Sequence, residues 1–269
     1  MKILNLAVIG KDVSQSESPE MHSFIAQSMG NCINYKKISI PEEQFESSFE
    51  NAVAGLDGFN VTIPYKLTVI PYLKSVTGDA VAFGAVNTVK TEGMAGTNTD
   101  GLGFSLMLKS NGVEINGKTV LVLGAGGAGR SAAKKLLDGG AKVSVYDVRY
   151  ENCVALAKEF DGIVPLKNLT AVPYDVIINA TGIGMHNTQG KSPVGEEILN
   201  GCTVAVDLIY VPKKSRFLEI AESLGKKIIN GQAMLFYQAY YAECFYFGCR
   251  ADEVEAKRLF ESYLAVKEK

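Results

Sequence analysis

Residues 120–123, Val-Leu-Val-Leu, run without a break into Gly124-Ala125-Gly126-Gly127-Ala128-Gly129-Arg130, and a helical pattern follows over 131–137. An apolar run of this kind reads as a strand covered on both faces, which belongs in a parallel sheet with helices on either side. Strand, glycine turn and helix together are the context of a dinucleotide-binding loop. The glycines let the backbone turn tightly and approach a pyrophosphate. The new helix offers free N–H groups and the positive end of its dipole. Asp147 lies about twenty residues on, where an acidic side chain completes the pattern. A plain tight turn in an α/β core is the alternative for the loop alone; the flanking strand, the helix and Asp147 weigh against it.

The rest of the chain keeps the same rhythm. After a turn-rich connection at 111–118, NGVEINGK, strands are predicted at 119–123, 142–146, 176–179, 203–207 and 227–229, with helical stretches between them. That is the pattern of a doubly wound parallel sheet. The first hundred residues also alternate. Strands are predicted at 4–9, 35–40 and 59–63. One helix is opened by Ser18-Pro19 and closed by Gly30; another is opened by Pro41 and ended by Gly55. Such alternation predicts an α/β domain with a largely parallel sheet. Residues 231–269 read as helix, interrupted at Gly248.

Bulk properties narrow the partners. A chain of 269 residues has room for two domains. Its formal net charge of −2 gives no electrostatic reason to expect nucleic acid or a membrane surface, and no apolar run approaches a spanning helix. The first ten residues lack the longer apolar core and cleavage site of a signal peptide, so a cytoplasmic location is expected. Cys32, Cys153, Cys202, Cys244 and Cys249 are scattered, and His22 and His186 are too few for a His-rich cluster. No metal site and no disulfide framework are expected.

Polar segments punctuate the first hundred residues: Ser14-Gln15-Ser16-Glu17-Ser18-Pro19, then 58–66 (GFNVTIPYK), then 84–88 (GAVNT) and 96–101 (GTNTDG). Each follows or flanks a predicted strand, and ligands of open α/β sheets bind beyond strand ends. Hydroxyls, amides, a lysine and an aspartate gathered there suit a small polyhydroxylated acid. Singly, each has a plainer reading. Ser18 is a helix N-cap, 98–101 a turn, Lys66 a solvated charge.

Taken together, eight segments resemble the shikimate dehydrogenases in order along the whole chain: 8–22, 58–66, 84–88, 96–103, 124–130, 179–185 (NATGIGM), 207–212 (DLIYVP) and 230–239 (NGQAMLFYQA). The resemblance implies an N-terminal α/β substrate domain at 1–101 plus 239–269. It implies a Rossmann-type dinucleotide domain with a doubly wound parallel sheet at 102–238, and a cleft between the two. In such enzymes Ser16 and Ser18 hold the substrate carboxylate, Thr62, Asn87 and Gln238 contact the substrate, and Tyr210 lies close to it. Lys66 and Asp100 form the catalytic pair. Gly124, Ala125, Gly126, Gly127, Ala128, Asp147, Arg149, Thr181, Leu208, Gly231 and Met234 fall to the cofactor. Three positions depart from the family pattern without removing a reacting group: Gln15 stands for a usual His, Asp12 for a Pro, and 179–182 reads Asn-Ala-Thr-Gly.

What the resemblance implies chemically is reversible hydride transfer between a nicotinamide dinucleotide and shikimate or 3-dehydroshikimate, in chorismate biosynthesis. Lys66 is expected to take the hydroxyl proton while Asp100 orients it, the two titrating as a unit. The partner is a small molecule, the protein a monomer or homodimer. The cofactor is NAD or NADP. The family default is NADP with Asn-Arg-Thr after the second strand of the domain. Here Asp147-Val148-Arg149 stands there, and Asp147 favours the ribose hydroxyl of NAD over a 2′-phosphate. Arg149 and Arg130 argue the other way. The rivals are a quinate/shikimate dehydrogenase using NAD, a methylenetetrahydrofolate dehydrogenase, against which Ser16, Ser18 and 60–66 speak, and a non-catalytic dinucleotide sensor, which has no use for Lys66 beside Asp100.

Overall fold

The computed structural model describes residues 3–267. The chain builds two compact units. One runs to Gly103 and resumes at Phe236; the other is Phe104–Leu235. Each has its own six-stranded sheet.

In the first unit the order is β1 (Ile3–Gly10), α1 (Ser18–Ser28), β2 (Cys32–Ser39), α2 (Phe45–Val53), β3 (Gly58–Val61), β4 (Ser75–Val76), α3 (Asp79–Phe83), β5 (Thr88–Lys90) and β6 (Ala95–Thr97). The strands lie β2-β1-β3-β5-β6-β4. The sheet is largely parallel, as the alternation predicts, except that β5 runs antiparallel to both β3 and β6. The reversal has a simple cause. Only residues 91–94 join β5 to β6, too few for the crossover that parallel neighbours require.

Two helix boundaries differ from the sequence reading. α1 is capped at Glu17 with no side-chain cap bond, so Ser18 is its first residue rather than its N-cap. Pro19 follows at a position where a missing N–H costs nothing. Ser16 supplies the missing acceptor, its Oγ taking the Ser18 N–H at 3.2 Å. The helix predicted over 41–55 is a 3-10 turn at Glu42–Gln44 followed by α2. Its apolar face places Phe45 on Tyr65, ring centroids 4.2 Å apart, and Phe49 edge-on to Phe59 at 5.7 Å. Burying each such ring contributes about 1.5–3 kcal/mol.

From the first unit α4 (Asp100–Ser110) leads into the second: β7 (Thr119–Leu123), α5 (Gly127–Asp138), β8 (Lys142–Tyr146), α6 (Tyr150–Glu159), β9 (Val164–Leu166), β10 (Tyr174–Asn179), α7 (Glu196–Leu199), β11 (Cys202–Asp207), α8 (Arg216–Ser223) and β12 (Lys227–Ile229). The order is β12-β11-β10-β7-β8-β9 and every pair is parallel. The chain starts in the middle, works outward through β8 and β9, and returns to build the other half. The switch point falls between β7 and β10, where doubly wound sheets bind ligands. Leu121, Leu123, Ile177 and Ala205 pack under Phe217 and Leu218 of α8.

α9 (Gln232–Phe247) and α10 (Glu253–Lys267) complete the chain. Gly248, at φ 66°, separates them where the sequence predicted an interruption. α9 has no polar face, the mark of a helix covered all round. Its Ala242 and Tyr246 pack on Leu4 and Leu6 of β1. Among the described residues no helix is long and apolar enough to cross a membrane, and no cluster of His, Cys, Asp and Glu is placed to hold a metal ion.

Candidate active site

The reversal of β5 decides what the first unit presents at one sheet edge. β1, β3 and β6 end there, and β5, running the other way, begins there. Residues 11–18 follow β1, 62–66 follow β3, Asn87 precedes β5, and 98–100 follow β6. Gly10 makes the first of these junctions possible. A Cβ on it would lie 2.5 Å from Thr62 Cγ2 and 2.8 Å from Val13 Cγ1, so only glycine lets the end of β1 approach Thr62 this closely.

Lys66 Nζ lies 2.5 Å from Asp100 Oδ2, with both side chains mostly sheltered from solvent. Asn87 Nδ2 donates to the other carboxylate oxygen at 2.9 Å and to Thr99 Oγ1 at 3.0 Å. Gln238 Oε1 stands 3.4 Å from the same amide nitrogen. Asn98 holds the turn that aims Asp100. Its Oδ1 accepts the Asp100 N–H at 3.0 Å, and its amide donates to the Ala85 carbonyl at 2.9 Å. Lys66, Asn87, Asp100 and Gln238 thus form one polar cluster. An ammonium held on a carboxylate, with the Asn87 amide fixing the carboxylate, is equipped to exchange a proton with a hydroxyl or carbonyl oxygen. Ser16 and Ser18 sit at the start of α1, their hydroxyls 3.0 Å apart.

In the second unit the glycine segment follows β7 at the switch point. Gly124 has φ +98°, a conformation other residues rarely adopt. A Cβ on Gly129 would meet the Gly124 carbonyl at 1.9 Å, so α5 packs directly on the turn. Gly126 and Gly127 differ from both, because nothing lies within 4 Å of a Cβ placed on either. The protein's own packing does not ask for glycine there. That open space faces the first N–H groups of α5, which lack intrahelical partners. Together these features fit a phosphate-bearing ligand lying close to backbone.

Thr181, just past β10, borders the same turn. Its hydroxyl and N–H both bond Asn179 Oδ1, at 2.6 and 3.0 Å, and its methyl is 3.0 Å from a Cβ on Gly124. Asp147, past β8, accepts from the Ala125 N–H at 2.9 Å and from the Arg149 N–H at 2.9 Å. Partial burial pushes its proton affinity up. The two N–H groups, the Asn152 amide and the Arg149 charge outweigh that, and its pKa falls below the usual carboxylate value. A negative charge therefore stands beside the glycine turn. Arg130 is bound to Glu159 and lies 5.1 Å over the Phe160 ring, while Arg149 is exposed. Past β11, buried Asp207 organises the next loop. It accepts from Asn179 and from the Ile209 N–H at 3.0 Å each, and from the Ser215 hydroxyl. Burial raises its pKa despite these bonds. Leu208 and Tyr210 lie on this loop. Gly231 packs under it, a Cβ there meeting the Leu208 carbonyl at 2.1 Å, and Met234 follows in the first turn of α9.

Comparison with known proteins agrees with this anatomy. Residues 8–89 match the family model "Shikimate dehydrogenase substrate binding domain", and 106–195 match "Shikimate / quinate 5-dehydrogenase". A shikimate dehydrogenase (NADP(+)) of Carboxydothermus hydrogenoformans is 36% identical over 253 residues, covering 87% of this chain and 88% of its own. The chain belongs to the shikimate dehydrogenase family. Among solved structures, a chorismate mutase/shikimate 5-dehydrogenase fusion protein from Clostridium acetobutylicum superposes with a TM-score of 0.90 at 34% identity, over 100% of both chains. Shikimate 5-dehydrogenase from Thermus thermophilus, in complex with NADP(H) and shikimate, gives 0.84 at 35% identity, over 96% of this chain and 99% of that one. As a member of the shikimate dehydrogenase family the chain is an oxidoreductase acting on a CH–OH group.

The family resemblance led to Lys66, Asn87, Asp100 and Gln238, and the fold brings these four together. It did not single out Tyr35, Asn60, Thr88, Asn98 or Thr99, which hold them. Asn98 had a local signal, an Asn opening a helix two residues later. Tyr35 and Thr88 had none, since each reads as an ordinary strand residue.

Proposed function

We propose that the chain interconverts shikimate and 3-dehydroshikimate, with the first unit holding the acid and the second holding a nicotinamide dinucleotide. The observation that carries this reading is Lys66 against Asp100, fixed by Asn87 and Gln238 at one sheet edge. Ser16 and Ser18 donate hydrogen bonds to the substrate carboxylate, and Thr62, Asn87 and Gln238 fix the ring hydroxyls. The bound nicotinamide supplies the hydride acceptor in one direction and the donor in the other. Lys66, as the free amine, takes the proton as the substrate hydroxyl becomes a carbonyl, and as the ammonium returns it in the reverse direction, while Asp100 holds Lys66. On the second unit, Gly126, Gly127 and Ala128 offer backbone N–H groups to the pyrophosphate, and Thr181, against Gly124, and Leu208, against Gly231, serve the same cofactor.

Lys66→Ala is expected to lower kcat by about 10²–10⁴-fold with a far smaller effect on substrate affinity. Near-normal turnover in that variant would remove Lys66 from the chemistry. Quinate in place of shikimate, in the same assay, decides which acid is preferred.

The finer choice of cofactor rests on Asp147. We infer use of NAD at least as good as that of NADP, because an ionised carboxylate beside the glycine turn repels a 2′-phosphate and accepts from a ribose hydroxyl. The relatives named for NADP weigh against this. Arg130 is engaged by Glu159 and Phe160, which leaves Arg149 as the basic counterweight. Comparing kcat/KM for the two cofactors at saturating shikimate is decisive. A tenfold advantage for NADP would assign the phosphate to Arg149 and overturn the role given to Asp147.

A further inference from the structure

Beneath the candidate site a line of polar side chains runs from Tyr35 to Asp100, and its hydrogen-bond directions are fixed by two backbone groups. The Thr99 N–H donates to Asn87 Oδ1 at 2.9 Å, which turns the Asn87 amide nitrogen toward Asp100. The Asn87 carbonyl accepts from Asn60 Nδ2 at 3.2 Å, which turns the Asn60 oxygen toward Tyr35. The remaining hydrogens follow. Tyr35 must donate to Asn60 Oδ1, at 2.7 Å. Thr88 Oγ1 accepts from Asn60 Nδ2 at 3.1 Å and donates to Asn87 Oδ1 at 2.8 Å. At the other end the Ser16 hydroxyl donates to Ser18 Oγ at 3.0 Å. Every hydrogen in the series Tyr35, Asn60, Thr88, Asn87 points toward Asp100.

We propose that Tyr35 is a positioning residue for the reaction, holding Asn60 and, through Thr88 and Asn87, the orientation of the Asp100 carboxylate. The inference rests on the assignment of Lys66 and Asp100 as the acid–base pair. Asn60, Asn87 and Thr88 are buried, so none can exchange a lost partner for bulk water. Without the phenol hydrogen, Asn60 Oδ1 is left unsatisfied. Its amide can recover a bond only by turning, which takes its nitrogen off Thr88 and the Asn87 carbonyl. Asn87 then keeps its bond from the Thr99 N–H but loses the Asn60 support at its carbonyl and behind Thr88, which loosens the hydrogen bond that keeps one Asp100 oxygen occupied while the other holds Lys66.

Tyr35 is itself set from behind. Its ring stacks on His22 at 4.5 Å, and His22 Nδ1 lies 2.5 Å from Glu243 Oε1 in the interior. Burial, with Glu243 second, pushes the phenol pKa well above its ordinary value, so Tyr35 remains a donor across the neutral range.

Turnover and substrate binding should separate, because the series leads to Asp100. In Tyr35→Phe, kcat is therefore expected to fall about threefold to tenfold, the scale of one lost hydrogen bond. KM for shikimate should stay level, and the thermal midpoint should remain close to that of the parent. With shikimate deuterated at the oxidised carbon, the isotope effect on kcat should rise. Thr88→Val interrupts the series at its middle and should behave alike, whereas Thr88→Ser keeps the hydroxyl and should restore kcat. If Tyr35→Phe does not fold, the Thr88 pair decides. Folded variants with kcat within twofold of the parent, or with KM raised alongside a lowered kcat, would overturn the positioning role. Lys66→Ala is assayed in parallel. An active Lys66→Ala enzyme would remove the acid–base assignment and the inference with it, whereas an inactive one beside a normal Tyr35→Phe removes the inference alone.

Discussion

Two kinds of glycine stand in the turn after β7, and substituting them separates what the fold needs from what a ligand needs. At Gly129 an added Cβ would lie 1.9 Å from the Gly124 carbonyl oxygen. The obstacle is backbone, so α5 must back away by roughly an ångström, a displacement that in a preorganised site costs on the order of 10²-fold in function. Gly129→Ala should also lose about 1–3 kcal/mol of stability, as an overpacked interior does. At Gly127 nothing lies within 4 Å of the new methyl, and the backbone φ is not in the left-handed region. Gly127→Ala should fold as well as the parent or better, gaining about 0.4–1 kcal/mol from a stiffer unfolded chain. Yet the methyl enters the space left for the pyrophosphate, so the dinucleotide Kd should rise at least about tenfold, roughly 1.4 kcal/mol. Thermal unfolding without ligand and fluorescence titration with NADH and NADPH, on the same preparations, measure both halves. A Gly127→Ala protein that binds either dinucleotide as the parent does would refute the idea that this glycine is there for a ligand.

Ser16→Ala combined with Ser18→Ala should raise KM for shikimate with a smaller effect on kcat, because the carboxylate does not react; since Ser16 Oγ also accepts the Ser18 N–H, circular dichroism should accompany the kinetics, and an unchanged KM in a folded protein removes the serines from carboxylate binding. Asp147→Asn should shift the kcat/KM ratio toward NADP by about tenfold, the scale of one removed like-charge contact; an unmoved ratio would show that the carboxylate does not read the ribose. Asp175 accepts from the Thr119 N–H and hydroxyl at 2.8 and 2.9 Å, and these bonds hold its pKa below the ordinary value. A lowered native pKa stabilises the fold above the unfolded value, near 3.9, and that contribution disappears as pH falls through the native value. Asp175→Asn should therefore lower the thermal midpoint at pH 7, with the gap closing below about pH 4. A gap that persists in acid would mean that hydrogen-bond geometry, not charge, is what Asp175 contributes.

The second unit was the more legible in the sequence because each of its central strands is a run of buried apolar residues and its turn is spelled in glycines. β9 escaped, being three residues long with Pro165 inside it. In the first unit β4, β5 and β6 are two or three residues each. A period of two cannot register over so short a stretch, so the reversed strand that places Asn87 was invisible. Lys66, Asn87, Asp100 and Gln238, which the resemblance proposes for the site, lie in segments that were readable as motifs. Their supports were not, because the partner of Tyr35 is 25 residues away and that of Asn60 is 28. Nothing local marks a tyrosine whose hydroxyl is spoken for by a distant strand.

The hairpin made by β5 and β6 acts as a ruler. Thr88 faces Thr97, and this alignment alone sets Asn87 opposite Thr99 and Asp100. The tip of the hairpin is exposed at Glu92 and Gly93, with Gly93 at φ 77° and no neighbour near a Cβ placed on it. Changing the identity of Glu92 alters little. Changing the number of residues between Lys90 and Ala95 slides one strand along the other and turns its side chains to the opposite face. A surface bend that touches no reacting atom should thus accept many spellings and only one length.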